Sequence, residues 1–329
     1  MTTAKPSVLR AFFALVGFSF RRQLRIRQVG WVAFALLFVV AGVVGLISYG
    51  PVGWRLETRE RNFADLKDKT GDNPIRMSYS QYAEERLTLY EAFPGPPDHF
   101  AVKAAVFDSF RALLRDGPFL DDFAFIHYAR WVVFTLFLAF LLPMLTLAYG
   151  CDAIGAEREG RTLLWLTTRP LPRWAVYVAK LCGSLPWCVA ICLLGFGLVC
   201  LAGKENGTRA FRLYWPGILA ASVAFGCLFH AIGALVRRPT IVAIGYVFVF
   251  EILVANLPGS LKQWSLSYYV RSLFYNRTLA DVIWTQPESV DVYAPCETAT
   301  AWVTLSIASL VLSAAGAIAF HRQEPSEEN

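Results

Sequence analysis

The sequence predicts an all-α integral membrane protein: six transmembrane helices, an N-terminal interfacial helix, and a mainly helical extracytoplasmic insert between the first two spans. Three observations carry that prediction. Of 329 residues, 56% are hydrophobic and 17% charged, against about 25% charged in an ordinary soluble domain. The apolar residues gather in long uninterrupted blocks instead of recurring at the period of an amphipathic core helix. Six blocks approach the roughly 20 residues that cross a hydrocarbon core at about 1.5 Å per residue.

Residues 1–30 form a basic leader. Within it Val8 to Phe20 is an apolar run ended by Arg21 and Arg22, too short to cross and suited to a helix lying in the interface. The first span is 31–50, and its length exceeds that of a cleavable leader's apolar core, so the sequence reads as retaining it. The insert, 51–130, holds eleven basic and thirteen acidic residues. Apolar spacing of three and four in Tyr82 to Phe93 and Phe100 to Leu114 predicts two helices, divided by Pro94-Gly95-Pro96-Pro97. The second span is 131–150. A charged cytoplasmic connection, 151–180, leads to the third span, 181–202. The fourth, 213–236, contains His230, and the fifth, 239–258, contains Glu251. The connection 259–298 is rich in aromatics, among them Trp264, Tyr268, Tyr269 and Phe274, which suit a headgroup layer; short helices are expected to lie along it or dip into it. The sixth span is 299–320 and the tail 321–329.

Orientation follows from Lys and Arg in the short connections, because basic residues near span ends stay in the cytoplasm. Fourteen lie in the leader, the 151–180 connection, the turn after the fourth span, and the tail; the two short connections opposite hold three each. Both termini are therefore expected in the cytoplasm of a plasma membrane. The net charge of +6 sits at span ends instead of along one face interleaved with aromatics, so no nucleic-acid partner is expected. The seven cysteines provide no extracytoplasmic pair, and Cys188 and Cys192 read as packing residues; neither a metal site nor a catalytic constellation is expected.

The most informative segment is the cytoplasmic connection. Asp152 to Glu159 can continue the second helix beyond the membrane, Gly160 can break it, and Thr162 to Thr168 can form a short amphipathic helix. Arg169-Pro170 and Pro172 then turn the chain into the third span. Such a short helix on two stiff arms can press on another protein, although a basic cytoplasmic loop is also what the charge rule alone requires. The segment Gly155 to Thr162 approaches a phosphate-binding loop, but Arg161 stands for the essential Lys and Glu157 and Glu159 would repel phosphate, so nucleotide binding is not expected here.

The run Asp152, Ile154, Glu157, Arg158, Glu159, Thr162-Leu163, then Arg169-Pro170-Leu171-Pro172-Arg173 and Lys180, resembles the loop between the second and third helices of ABC-2 type ABC transporter permeases. The segment Glu251 to Arg271, with Pro258-Gly259 and Leu266-Ser267-Tyr268-Tyr269, is also similar to that family. Here Gly160 and Thr162 are separated by Arg161, where the family usually has Gly directly before Thr. The resemblance implies a permease subunit of a bacterial exporter in the inner membrane, without an ATPase motif of its own. Asp152, Glu157, Arg158, Glu159, Gly160, Arg161, Thr162, Leu163, Arg169 and Pro170 would then form a coupling loop on a separate ATP-binding subunit, which would hold the ATP and magnesium, and a second permease chain, identical or related, would complete the pathway.

A carboxylate inside a span costs about 2.5 to 3.5 kcal/mol on insertion scales, so Glu251 should face protein or water. Its readings are an intramembrane pathway or gate, and a structural hydrogen bond. His230, its nearest ionisable neighbour in sequence, is a second candidate for such a pathway or gate, but counting residues from the cytoplasmic ends sets the two roughly 8 Å apart in depth. A rival reading of the whole chain is a membrane anchor or sensor whose insert binds an extracytoplasmic partner.

Overall fold

The computed structural model describes residues 8–23, 28–49, 125, 128–151, 153–155, 172–236, 238–256, 260–281 and 295–322. Apart from short links at 172, 236 and 295–297, these residues are helical or in turns and bends, with no strand among them. Helix α1 spans Val8–Arg22 and α2 spans Gln28–Tyr49. Helix α3 is π-wound over Ala129–Leu141 and α-helical over Leu142–Gly150. Helices α4 and α5 span Arg173–Ala202 and Lys204–Leu235. Helix α6 is α-helical over Pro239–Tyr246 and π-wound over Val247–Leu253. Two short 3₁₀ turns, Val254–Asn256 and Ser260–Trp264, lead to α7 at Leu266–Asp281, and α8 spans Thr298–Arg322. The predicted insert helices lie in 51–124, outside the described residues.

Among the described residues, five helices are long and apolar enough to cross a bilayer: α2, α3, α4, α5 and α8. The predicted fifth span is shorter. Its apolar helix covers Pro239–Leu253, about 22 Å at 1.5 Å per residue against a core of about 30 Å. The chain then tightens into 3₁₀ winding at Val254–Asn256.

Helices α4 and α5 form an antiparallel hairpin joined at Gly203. The backbone N–H of Gly203 donates to the carbonyls of Val199 and Cys200 at 3.2 and 3.0 Å, and Lys204 carries a φ of 52°, a left-handed turn at a helix end. Tyr128 covers the turn: its hydroxyl donates to the Val199 carbonyl at 3.1 Å, and a Cβ at position 203 would lie 2.6 Å from its ring. The apolar blocks end the third span at Ala202 and begin the fourth at Leu213, whereas α5 is already helical at Lys204. The difference arises because helical winding continues past the apolar window while its cations find rings. Lys204 lies over Tyr49 at 3.8 Å and Arg209 over Phe125 at 4.6 Å.

The two ends of the bundle are built differently. At the end nearest the 151–172 connection, Leu15, Ile154, Val176, Tyr177, Ala179, Cys227, Ala234 and Phe320 pack together, uniting α1, the end of α3, α4, α5 and α8. Here α1 lies against α4. Trp187 Nε1 donates to the Phe20 carbonyl at 3.0 Å, and a Cβ on Gly183 would meet Ser19 Cβ at 2.7 Å, so only glycine permits that approach. The outward side of α1 leaves Leu9, Phe13 and Phe18 exposed. At the far end the core is aromatic. Tyr214 of α5 lies 4.7 Å from Phe274 of α7, and Phe134 of α3 lies 5.9 and 5.8 Å from these two rings, in the range of favourable ring contacts.

Candidate functional site

The tip of the predicted coupling loop, Glu157, Arg158, Glu159, Gly160, Arg161, Thr162, Leu163, Arg169 and Pro170, lies outside the described residues, as does Asp152. Its two arms are described. On the incoming arm, Cys151, Ala153, Ile154 and Gly155 are buried. On the outgoing arm, Pro172 is extended, with φ −64° and ψ 143°. Its carbonyl accepts from Ala175 and Val176 to start α4, the geometry expected of a proline-led helix entry.

Lys180 joins the arms. Its side chain is buried, and Nζ donates to the Ala153 carbonyl at 3.4 Å. The bond gives the buried amino group an acceptor inside the protein. Nearby, Gln23 at the end of α1 donates to the Tyr149 carbonyl at 3.5 Å. The α3–α5 contact is equally close. A Cβ on Gly150 would lie 2.9 Å from Phe229 Cβ, and one on Gly233 would lie 3.2 Å from the Cys151 carbonyl. Cys151 Sγ is 3.5 Å from the Phe229 carbonyl, to which it donates.

His230 is fully buried beside these contacts. Its ring lies 4.7 Å from that of Tyr177, and Nε2 is 3.4 Å from the Tyr177 carbonyl. Because a carbonyl only accepts, this bond keeps a proton on Nε2. His230 Nδ1 and the Tyr177 hydroxyl have no hydrogen-bond partner among the described residues. The Tyr177 hydroxyl lies against α8 at Gly316, where a Cβ would collide with it.

Glu251 sits elsewhere, where α6 meets α7. It is fully buried and accepts four hydrogen bonds. Oε1 accepts from the Tyr246 hydroxyl at 2.8 Å and the Leu266 N–H at 3.3 Å. Oε2 accepts from the Ser265 hydroxyl at 2.7 Å and the Ser267 N–H at 3.0 Å. Two of these donors belong to the first turn of α7, whose N–H groups have no helical acceptor of their own, so the carboxylate closes the positive end of that helix from another element. The sequence reading separates His230 from Glu251 by depth, and the two occur in different clusters, His230 against Tyr177 and Glu251 against α7.

Tyr246 and Ser265 escaped the sequence reading. A spacing of five does not bring side chains together on an α-helix, but the π-winding of Val247–Leu253 adds a residue per turn and sets Tyr246 over Glu251. Thr135 shows the same register in α3, where its hydroxyl donates to the carbonyl of Arg130, five residues back, at 2.9 Å. For Ser265 a signal existed, since Ser265-Leu266-Ser267 before an aromatic helix has an N-cap pattern.

Further along, α7 is tied to its neighbours. Tyr214 and Thr278 share a 2.6 Å hydroxyl hydrogen bond. Arg277 donates to the Leu213 carbonyl at 2.8 Å, in the helical turn loosened by Pro216. Asn276 Nδ2 reaches the Cys296 carbonyl at 2.9 Å and the Thr298 hydroxyl at 3.1 Å, at the start of α8.

Long apolar helices closed on one another around such buried polar ties define a multi-pass helical membrane protein. The family described as ABC-2 family transporter protein matches residues 19–324, and the chain belongs to that family. Among its relatives is the probable ABC transporter permease protein NosY of Stutzerimonas stutzeri, 33% identical over 110 residues, which are 33% of this chain and 34% of that protein. The NosY protein of Pseudomonas aeruginosa is 36% identical over 97 residues, 28% of this chain and 35% of that protein. The matched stretch thus spans about a third of each relative's length.

Proposed function

We propose that this chain is the permease subunit of an exporter in the bacterial inner membrane, with both termini cytoplasmic and six crossings, the fifth being α6 completed by its 3₁₀ turns. A separate ATP-binding subunit holds ATP and magnesium and acts through residues 151–180; a second permease chain, identical or related, completes the pathway. The chain itself carries no cofactor.

One observation carries the reading. Both arms of the 151–180 connection are fastened to one buried cluster, through Lys180 on the Ala153 carbonyl and through α3 packed on α5 at Gly150 and Gly233. A push on the tip therefore reaches α3, α4 and α5 together, and α1 through Gln23 and Ser19. Close-packed interiors transmit such displacements instead of absorbing them.

The test is co-purification in gentle detergent with the products of neighbouring genes. An ATPase is expected to elute with the permease, and Glu157→Arg is expected to lower its recovery about tenfold, the effect of roughly 1.4 kcal/mol in association. An ATPase that never appears would sink the assignment. Direction is read in inside-out vesicles, where ATP-driven accumulation of cargo supports export.

A further inference from the structure

The base of the coupling loop and the Glu251 site are joined by an unbroken series of contacts through the bundle. At its start, Gly150 and Cys151 press on Phe229 of α5, the Cys151 thiol reaching the Phe229 carbonyl at 3.5 Å. Phe229 is fully buried, stacks at 6.0 Å on Phe225 of its own helix, and meets Tyr246 of α6 edge to face at 6.5 Å. Tyr246 stacks at 5.0 Å on Phe250, and its hydroxyl donates to Glu251 at 2.8 Å. Glu251 in turn holds the first turn of α7 through Ser265, Leu266 and Ser267.

We propose that Tyr246 is the positioning residue that carries movement from the coupling loop to α7 at the opposite end of the bundle. The proposal rests on the permease reading, and its geometry is specific. The ring of Tyr246 touches α5, and its hydroxyl touches the carboxylate that closes α7, so one side chain joins both. The carboxylate bonds are charge-assisted and about twice as strong as neutral ones, so α6 and the first turn of α7 move as one body. At its far end α7 is tied to α5 by the Tyr214–Thr278 hydroxyl bond and by Arg277 on the Leu213 carbonyl.

Spatial continuity alone does not establish coupling; a change in equilibrium at one end must alter the other. Gln263, exposed on the turn before α7, supplies a reporter. Gln263→Cys is introduced with Cys182 and Cys296 replaced by Ser, because the remaining cysteines are buried. The intact permease–ATPase complex is then labelled from outside with a membrane-impermeant maleimide, with and without trapping by ATP and vanadate. Trapping is expected to change the labelling rate about fivefold, the low end of ordinary coupling energies. Tyr246→Phe keeps the ring and removes only the hydroxyl; it is expected to bring the ratio within about twofold of unity with ATPase recovery unchanged. Phe229→Leu, which removes the ring contact instead, is expected to do the same. A purely structural role would shift the basal rate and leave the ratio intact.

An undiminished ratio in both variants overturns the proposal, as does a parent complex that retains its ATPase and shows no nucleotide dependence; the latter leaves the permease reading standing. Failure to recover any ATPase overturns the permease reading and the relay with it.

Discussion

Each oxygen of the Glu251 carboxylate accepts two hydrogen bonds, which fills the capacity of an ionised side chain. A carboxylate so occupied has no lone pair to offer a passing ion, and two of its bonds satisfy backbone N–H groups that would otherwise be stranded. Of the two readings open from sequence, pathway or structural tie, the geometry supports the tie. Glu251→Ala is expected to cost about 3 kcal/mol, because charge-assisted bonds are lost and buried donors stranded. Glu251→Gln, which keeps one carbonyl oxygen, is expected to cost about 1 to 2 kcal/mol. Unfolding midpoints of the purified protein measure both, and equal midpoints for Ala and parent would contradict the capping role. Glu251 stood out in the sequence because carboxylates are expensive in a span. Its partners were harder to read, since Tyr246 is reached only through π-winding and the N–H donors lie fifteen and sixteen residues away. Lys180 was legible as part of a motif, but not as the donor to the Ala153 carbonyl.

At the scale of elements, the α4–α5 hairpin turns within a single residue. Gly203→Ala would drive a Cβ into the Tyr128 ring at 2.6 Å, and Tyr128 cannot retreat without giving up the Val199 carbonyl. Overpacking of this kind costs about 1 to 3 kcal/mol. At Lys204 two effects compete. Glycine would relieve a left-handed backbone worth about 1 to 2 kcal/mol, and would remove the cation over the Tyr49 ring, worth about 0.5 to 1 kcal/mol at an exposed site. A net gain of about 0.5 kcal/mol is therefore expected for Lys204→Gly; Lys204→Gly less stable than the parent by thermal unfolding would show that the ring contact dominates. Hydropathy located the apolar cores of these helices well. Their ends were less legible because Lys204, Arg209 and Arg212 look like a loop by charge, whereas a helix projecting beyond lipid can carry charge as readily as a loop.

For the molecule as a whole, the number of crossings decides on which side the chain ends. Five long spans alone would put the termini on opposite sides; a sixth crossing returns them to one side. Contacts support the sixth crossing proposed above. Pro239, where α6 begins, lies beside Gly155 at the loop end, whereas Thr298, where α8 begins, accepts from Asn276 on α7, which packs on the Leu213 end of α5. Phe320, near the end of α8, returns to Tyr177 at the loop end. Between Pro239 and Thr298 the chain thus passes from one end of the bundle to the other. It does so without one long helix, through the π-wound part of α6 and a helix, α7, that is hydrogen-bonded at its first turn to Glu251. A broken crossing is tolerable in a membrane only where its freed backbone groups are satisfied by protein, and the bonds from the Leu266 and Ser267 N–H groups to Glu251 do part of that. The excess of basic residues in the leader, the loop and the tail agrees with a return to the cytoplasm. Fusions of a cytoplasm-active fluorescent reporter to each terminus, with a periplasm-active phosphatase at the same points, test the count. Fluorescence at both ends is expected, and phosphatase activity at the C-terminal fusion alone would reduce the crossings to five and make α6 and α7 a re-entrant pair.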